Sequence, residues 1–229
     1  MIQPPSVFKQ ALEGRVALEA AALLAQLPML RMQAPRGSGP VMVLPGFMAD
    51  DASTWLIRRF LNSLGYAAVG WGAGVNRGSM QSLLEELLPK VQTLAVQANR
   101  PVQLIGWSRG GILARELARR DVQRVQSVTT MGTPIQGGLS ASSIAFWVLQ
   151  SSTVTPAQGA QLQREREKVP ILCPVHSIYS KSDGVVAWQA SIDPHNVHVE
   201  HHEVASSHVG MGCNAEVFLL LARLLSKYC

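Results

Sequence analysis

The chain is 229 residues long, 47% apolar and 15% charged, with a formal net charge of +5. That much apolar side chain can bury a sizeable core in one domain spanning 1–229, and so sparse a charge content excludes a disordered polypeptide. The positive charge is scattered: its densest stretch, Arg164-Glu165-Arg166-Glu167-Lys168, alternates in sign like a solvated helix face, and no aromatic-interleaved basic patch points to nucleic acid.

Met1-Ile2-Gln3-Pro4-Pro5 has neither the basic nor the apolar region of a signal peptide, so cytoplasm is the default expectation. From Val7 to Leu27 the spacing predicts an amphipathic helix ended by Pro28, with Phe8, Leu12, Val16, Leu23 and Leu27 near one face. Lys9, Glu13, Arg15 and Glu19 within it exclude a membrane span. Packing against the edge or face of the domain is expected, with a membrane-surface or partner helix as the alternative.

After the linker Arg36-Gly37-Ser38-Gly39-Pro40 comes a strand at Val41–Leu44, then a helix over Ser53–Leu64 and a strand at Ala67–Gly70. A helix over about Met80–Gln97, kinked or broken at Pro89, leads to a strand at Val102–Ile105 and a helix from Ile112. Strands follow at Val125–Met131, Ile171–Tyr179 and Val197–Val204, and Ala215–Lys227 forms the last helix. This alternation predicts an α/β fold with a mostly parallel central sheet flanked by helices on both faces. Residues 135–169 form a connection longer than the rhythm requires, and its apolar piece Ile144–Leu149 suits a lid or pocket wall.

Gly106-Trp107-Ser108-Arg109-Gly110-Gly111 joins the fourth predicted helix to the apolar strand before it. A serine at such a junction sits on a strained turn at the carboxyl end of the sheet, where glycines avoid collision with strand and helix. The helix start directs N–H groups toward the oxyanion formed when serine attacks a carbonyl. Serine needs a base, and the base an orienting carboxylate; in such sheets the acid and then the histidine follow in chain order. Asp183, after a strand and before Gly184, fits the acid, with Asp193 before Pro194 as its rival. His208, in the small-residue loop Ser206-Ser207-His208-Val209-Gly210, fits the base. His176 lies inside an apolar strand as a core residue, and His198, His201 and His202 offer no ligand set at metal-site spacing, so no metal is expected. Of the two N–H donors an oxyanion needs, one is expected from Arg109 and one from Phe47, in the loop Pro45-Gly46-Phe47.

Together with Gly132-Thr133-Pro134, these segments resemble the α/β-hydrolase superfamily, and within it the compact lipases and carboxylesterases, over most of Val41–Lys227. The resemblance implies a serine esterase with Ser108 as nucleophile, His208 as base, Asp183 as acid, Phe47 and Arg109 lining the oxyanion hole, and no cofactor. The substrate would be a small-molecule or lipid ester, with Trp107, Phe146, Trp147 and Trp188 as candidates for an apolar acyl pocket. Thioesterase, lactonase, amidase or acyltransferase chemistry would use the same three residues; a non-catalytic binding protein would not need them. Two departures stand out: Pro45 occupies a position where many relatives carry histidine, and Arg109, in place of the Met, Gln or His often seen after the serine, brings a cation next to it. The single helix before Val41 replaces two extra strands of larger members, so a reduced sheet is expected. Cys173, Cys213 and Cys229 are expected as buried thiols, a Cys173–Cys213 bridge being the alternative.

Overall fold

Apolar side chains on both faces of its strands demand a sheet covered on both sides, and the computed structural model has that arrangement. It describes residues 2–137, 141–143, 161 and 165–229. The strands are β1 (Pro40–Leu44), β2 (Ala67–Gly70), β3 (Val102–Trp107), β4 (Val125–Met131), β5 (Val175–Tyr179) and β6 (Val199–Glu203). They form one six-stranded sheet in the order β2-β1-β3-β4-β5-β6, every neighbouring pair parallel.

The helices are α1 (Val7–Ala11), α2 (Val16–Gln33), α3 (Trp55–Ser63), α4 (Met80–Ala98), α5 (Arg109–Arg120) and α6 (Ala215–Ser226). Alternation along β1 divides the core: Val41 and Val43 pack with α2, α3 and α6, whereas Met42 and Leu44 pack with α4 and α5. Cys213 belongs to the first layer and Cys173 to the second; both are free, so no bridge joins them, and Cys229 is exposed.

The first helix differs from expectation. A 3-10 turn over Leu12–Arg15 separates α1 from α2, and α2 runs through Pro28 to Gln33. Pro28 and Leu24, four residues before it, are both exposed, so the carbonyl deprived of its N–H partner faces water and the helix survives. Likewise α4 continues through Pro89, which shares an exposed face with Glu85. The packing face of α2 is Val16, Ala20, Leu23, Leu27 and Leu30; Phe8 points into solvent at 73% exposure. Among the described residues, no helix is long and apolar enough to cross a membrane. Most of the expected lid at 135–169, including Phe146 and Trp147, lies outside the described residues.

Candidate active site

Ser108 stands between the last residue of β3 and the first of α5, with φ +54° and ψ −120°. This is a strained backbone for a residue with a Cβ. Packing enforces it: α5 presses so closely on β3 that a Cβ on Gly106 would strike the backbone of Gly110 and Gly111. The Ser108 N–H donates to the Met131 carbonyl at 2.8 Å, and its carbonyl accepts from the Thr133 hydroxyl at 3.0 Å.

Asp183 and His208 come from the loops after β5 and β6, and adjacent parallel strands deliver those loops to the same edge of the sheet. His208 Nδ1 lies 2.7 Å from Asp183 Oδ2, while Oδ1 accepts the N–H groups of Val185 at 2.8 Å and Val186 at 2.7 Å. Both side chains are buried. Burial works against the imidazolium, but the charge and hydrogen bond of Asp183, with Glu13 behind them, outweigh it and hold His208 above the ordinary histidine range. Gly132, at the end of β4 with φ +54°, lies beneath this pair; a Cβ there would come 2.9 Å from His208 Nδ1 and 3.0 Å from Asp183 Oδ2.

Asp193, the rival acid, is committed elsewhere. Its Oδ2 pairs with the buried Arg115 guanidinium at 2.7 Å and accepts from Asn196 at 2.7 Å. Burial opposes its charge, yet Arg115 and the hydrogen bonds keep its carboxyl below the usual range.

Ser108 and His208 open on one cavity of about 310 Å³, lined also by Phe47, Trp107, Val185 and Val209. Gly46 brings the β1 loop against the serine: a Cβ on it would meet Ser108 Cβ at 3.5 Å. Among the described residues, no acceptor takes the N–H of Phe47 or of Arg109. Trp107 lies under the cavity with its indole N–H donating to the His208 carbonyl at 3.2 Å. Trp188 does not join it; stacked on Tyr179, it lines a separate cleft with residues of the N-terminal segment.

Three polar residues around the site escape the sequence pattern. The Glu13 carboxylate accepts the N–H groups of Gly184 (2.7 Å), His208 (2.8 Å) and Val209 (2.9 Å), bridging the loops that carry Asp183 and His208. One turn and a half later, Glu19 takes the Ser207 N–H at 2.9 Å and the Ser206 hydroxyl at 2.8 Å. Fully buried Asn76 binds the Pro45 carbonyl at 2.8 Å and, through its own backbone, Met48 and Ala49, fixing the β1 loop. The Arg109 guanidinium reaches Asn76 Oδ1 at 3.0 Å and the Gly78 carbonyl at 2.6 Å, and lies 5.6 Å from the Phe47 ring centre. It is a strut between loops rather than a cation directed at the cavity. Nothing in the local pattern marks Glu13, Glu19 or Asn76, because their partners are distant in sequence.

No protein-family model and no curated protein matches the chain. Solved structures do. The lipase BlEst2 of Bacillus licheniformis superposes with a TM-score of 0.65 at 16% identity, over 82% of this chain and 92% of that one. An alpha/beta superfamily hydrolase from Oenococcus oeni PSU-1 gives 0.61 at 17%, over 85% and 94%. The thioesterase domain from the curacin biosynthetic pathway gives 0.57 at 13%, over 82% and 90%. The chain therefore has the α/β-hydrolase fold, with six parallel strands among the described residues.

Proposed function

We propose that the chain is a serine hydrolase that cleaves carboxylic esters through an acyl-enzyme on Ser108. The observation that carries this reading is a strained, helix-capping serine that opens on the same cavity as a histidine bound to a buried aspartate at 2.7 Å. His208 Nε2 accepts the Ser108 hydroxyl proton as the oxygen attacks the ester carbonyl carbon. Asp183 holds the ring in the tautomer that leaves Nε2 free and stabilises the imidazolium. The tetrahedral oxyanion is met by the backbone N–H groups of Phe47 and Arg109. Collapse breaks the carbon–oxygen bond to the alcohol, which leaves with the proton from His208. Water, deprotonated by the same nitrogen, then attacks the acyl carbon and releases the acid and free Ser108.

The apolar walls from Phe47, Val185 and Val209 suit an acyl chain. A thioester would be handled by the same groups, and the likeness to a thioesterase domain makes matched oxygen and thiol esters the necessary comparison.

The test is labelling with a fluorophosphonate, followed by peptide mapping, on the wild type and on Ser108→Ala. Stoichiometric modification of Ser108, lost in the variant, together with turnover of short-chain esters supports the reading. Folded protein that neither labels nor turns over any ester or thioester overturns it.

A further inference from the structure

Strand β6 is the outermost of the described sheet, and its polar sequence Val199-Glu200-His201-His202-Glu203 reads at first as a solvated edge. The register says more. His176 of β5 is paired with Glu200 of β6, and His202, two residues on, projects from the same face as Glu200. The three side chains converge: His176 Nδ1 lies 3.3 Å from His202 Nε2 and 3.5 Å from Glu200 Oε2, while His202 Nε2 lies 3.7 Å from that oxygen. A triangle of these dimensions has one point about 2 Å from all three atoms, the length of a zinc–imidazole or zinc–carboxylate bond.

The surroundings favour an ion. The other nitrogen of His176, Nε2, faces the Tyr228 hydroxyl at 2.8 Å. When that nitrogen carries the proton and donates it to the phenol, Nδ1 keeps its lone pair for the cluster, as outer partners arrange for metal-bound histidines. His176 is buried and Glu200 is open to solvent, so the cluster can be reached from the Glu200 side. Lys227 Nζ stands 2.8 Å from Glu200 Oε2 on the open side. Its ammonium now balances the carboxylate and would swing into solvent as an ion enters. Two imidazoles and one carboxylate suit a borderline transition ion better than magnesium or calcium, which take oxygen ligands.

We propose that His176, Glu200 and His202 bind one zinc-class divalent cation that cross-links β6 to β5. None of the three lines the cavity at Ser108, so the ion's effect falls on the outer strand and not on the ester chemistry. Spacing within 195–202 cannot disclose this set, because one ligand comes from the neighbouring strand.

The experiment is a zinc titration, by calorimetry and by thermal melting, of the untagged full chain after chelator treatment. Ser108→Ala serves as the background, so that binding is read independently of any hydrolysis. One equivalent should bind and raise the Tm, and cobalt(II) should give the visible absorption of a four-coordinate nitrogen–oxygen site. His202→Ala and Glu200→Gln, at a partly buried and a half-exposed position, should each weaken binding by roughly tenfold or more while the variants keep the wild-type circular dichroism. Lys227→Ala should tighten it by removing the competing ammonium. Absence of binding, or binding unchanged in His202→Ala and Glu200→Gln, overturns the proposal.

Discussion

The carboxylate of Glu13 accepts the backbone N–H of His208 at 2.8 Å across 195 residues of chain. With its bonds to Gly184 and Val209, one side chain from the start of the protein sets the spacing between the loops bearing Asp183 and His208. The N-terminal helices are thereby part of the site's frame, and Glu19 repeats the contact through Ser206 and Ser207.

If His208 is the base of an ester hydrolase, this contact has a pH signature. The histidine must be neutral to accept a proton, and its pKa is raised by Asp183 and Glu13 over the opposing effect of burial. The acid limb of kcat/KM should therefore lie above the ordinary value near 6.5. Glu13→Gln removes one negative charge and should move that limb toward lower pH, with kcat reduced roughly tenfold as the loops loosen. A merely structural Glu13 would lower the Tm and leave the limb in place.

Asp183 and Asp193 should separate activity from stability. Asp183→Asn leaves the fold in place but favours the wrong tautomer of His208, and kcat should fall by about 10⁴. Asp193→Ala strips a partner from a buried guanidinium and should cost about 3–5 kcal/mol, read as a large drop in Tm. Chemical denaturation and single-substrate kinetics on both variants check the assignment. The reverse pattern would make Asp193 the acid.

Gly132→Ala should be among the more damaging small substitutions. It asks a residue with a Cβ to hold φ +54° and places that carbon 3.0 Å or less from the Asp183–His208 pair. Strain of about 1–3 kcal/mol should appear in denaturant unfolding. Ester turnover should fall well beyond what partial unfolding explains.

Asn76→Ala tests the other side of the cavity. Its amide joins the Pro45 carbonyl to the Arg109 guanidinium, and removing it strips the buried Pro45 carbonyl of its donor at a cost of about 1–3 kcal/mol, while Arg109 keeps the Gly78 carbonyl. The loop that presents the Phe47 N–H would be released, so kcat should drop with little change in KM. Steady-state kinetics on a short-chain ester reads that split.

The α/β alternation and the junction at Ser108 were legible because both are local. An apolar run, a glycine–serine turn and a helix-forming run follow one another, and steric exclusion at Gly106 acts within five residues. β4 appears with the expected bounds, Val125–Met131, for the same reason. Pro28 and Pro89 do not end their helices, because a missing N–H does so only when its carbonyl partner has no other recourse, and both prolines lie on exposed faces where that carbonyl can meet water. Aromatic character alone does not place Trp188 at the cavity; its stacking on Tyr179 holds it in a different cleft.

Periodicity and turn chemistry determined by themselves that strands alternate with helices, that the sheet is parallel and that Ser108 stands at a carboxyl end; the last two strands are shorter than the predicted Ile171–Tyr179 and Val197–Val204, running over Val175–Tyr179 and Val199–Glu203. Its place just past a strand end favours Asp183 over Asp193, but only the tertiary structure shows Asp183 meeting His208 while Arg115, from a distant helix, takes Asp193. It alone brought Glu13 over the two loops, Asn76 beneath the β1 turn and His176 beside His202. Each of these is a hydrogen bond or ion contact between residues far apart in the chain. Such contacts depend on the path of the whole backbone, which no window of sequence contains.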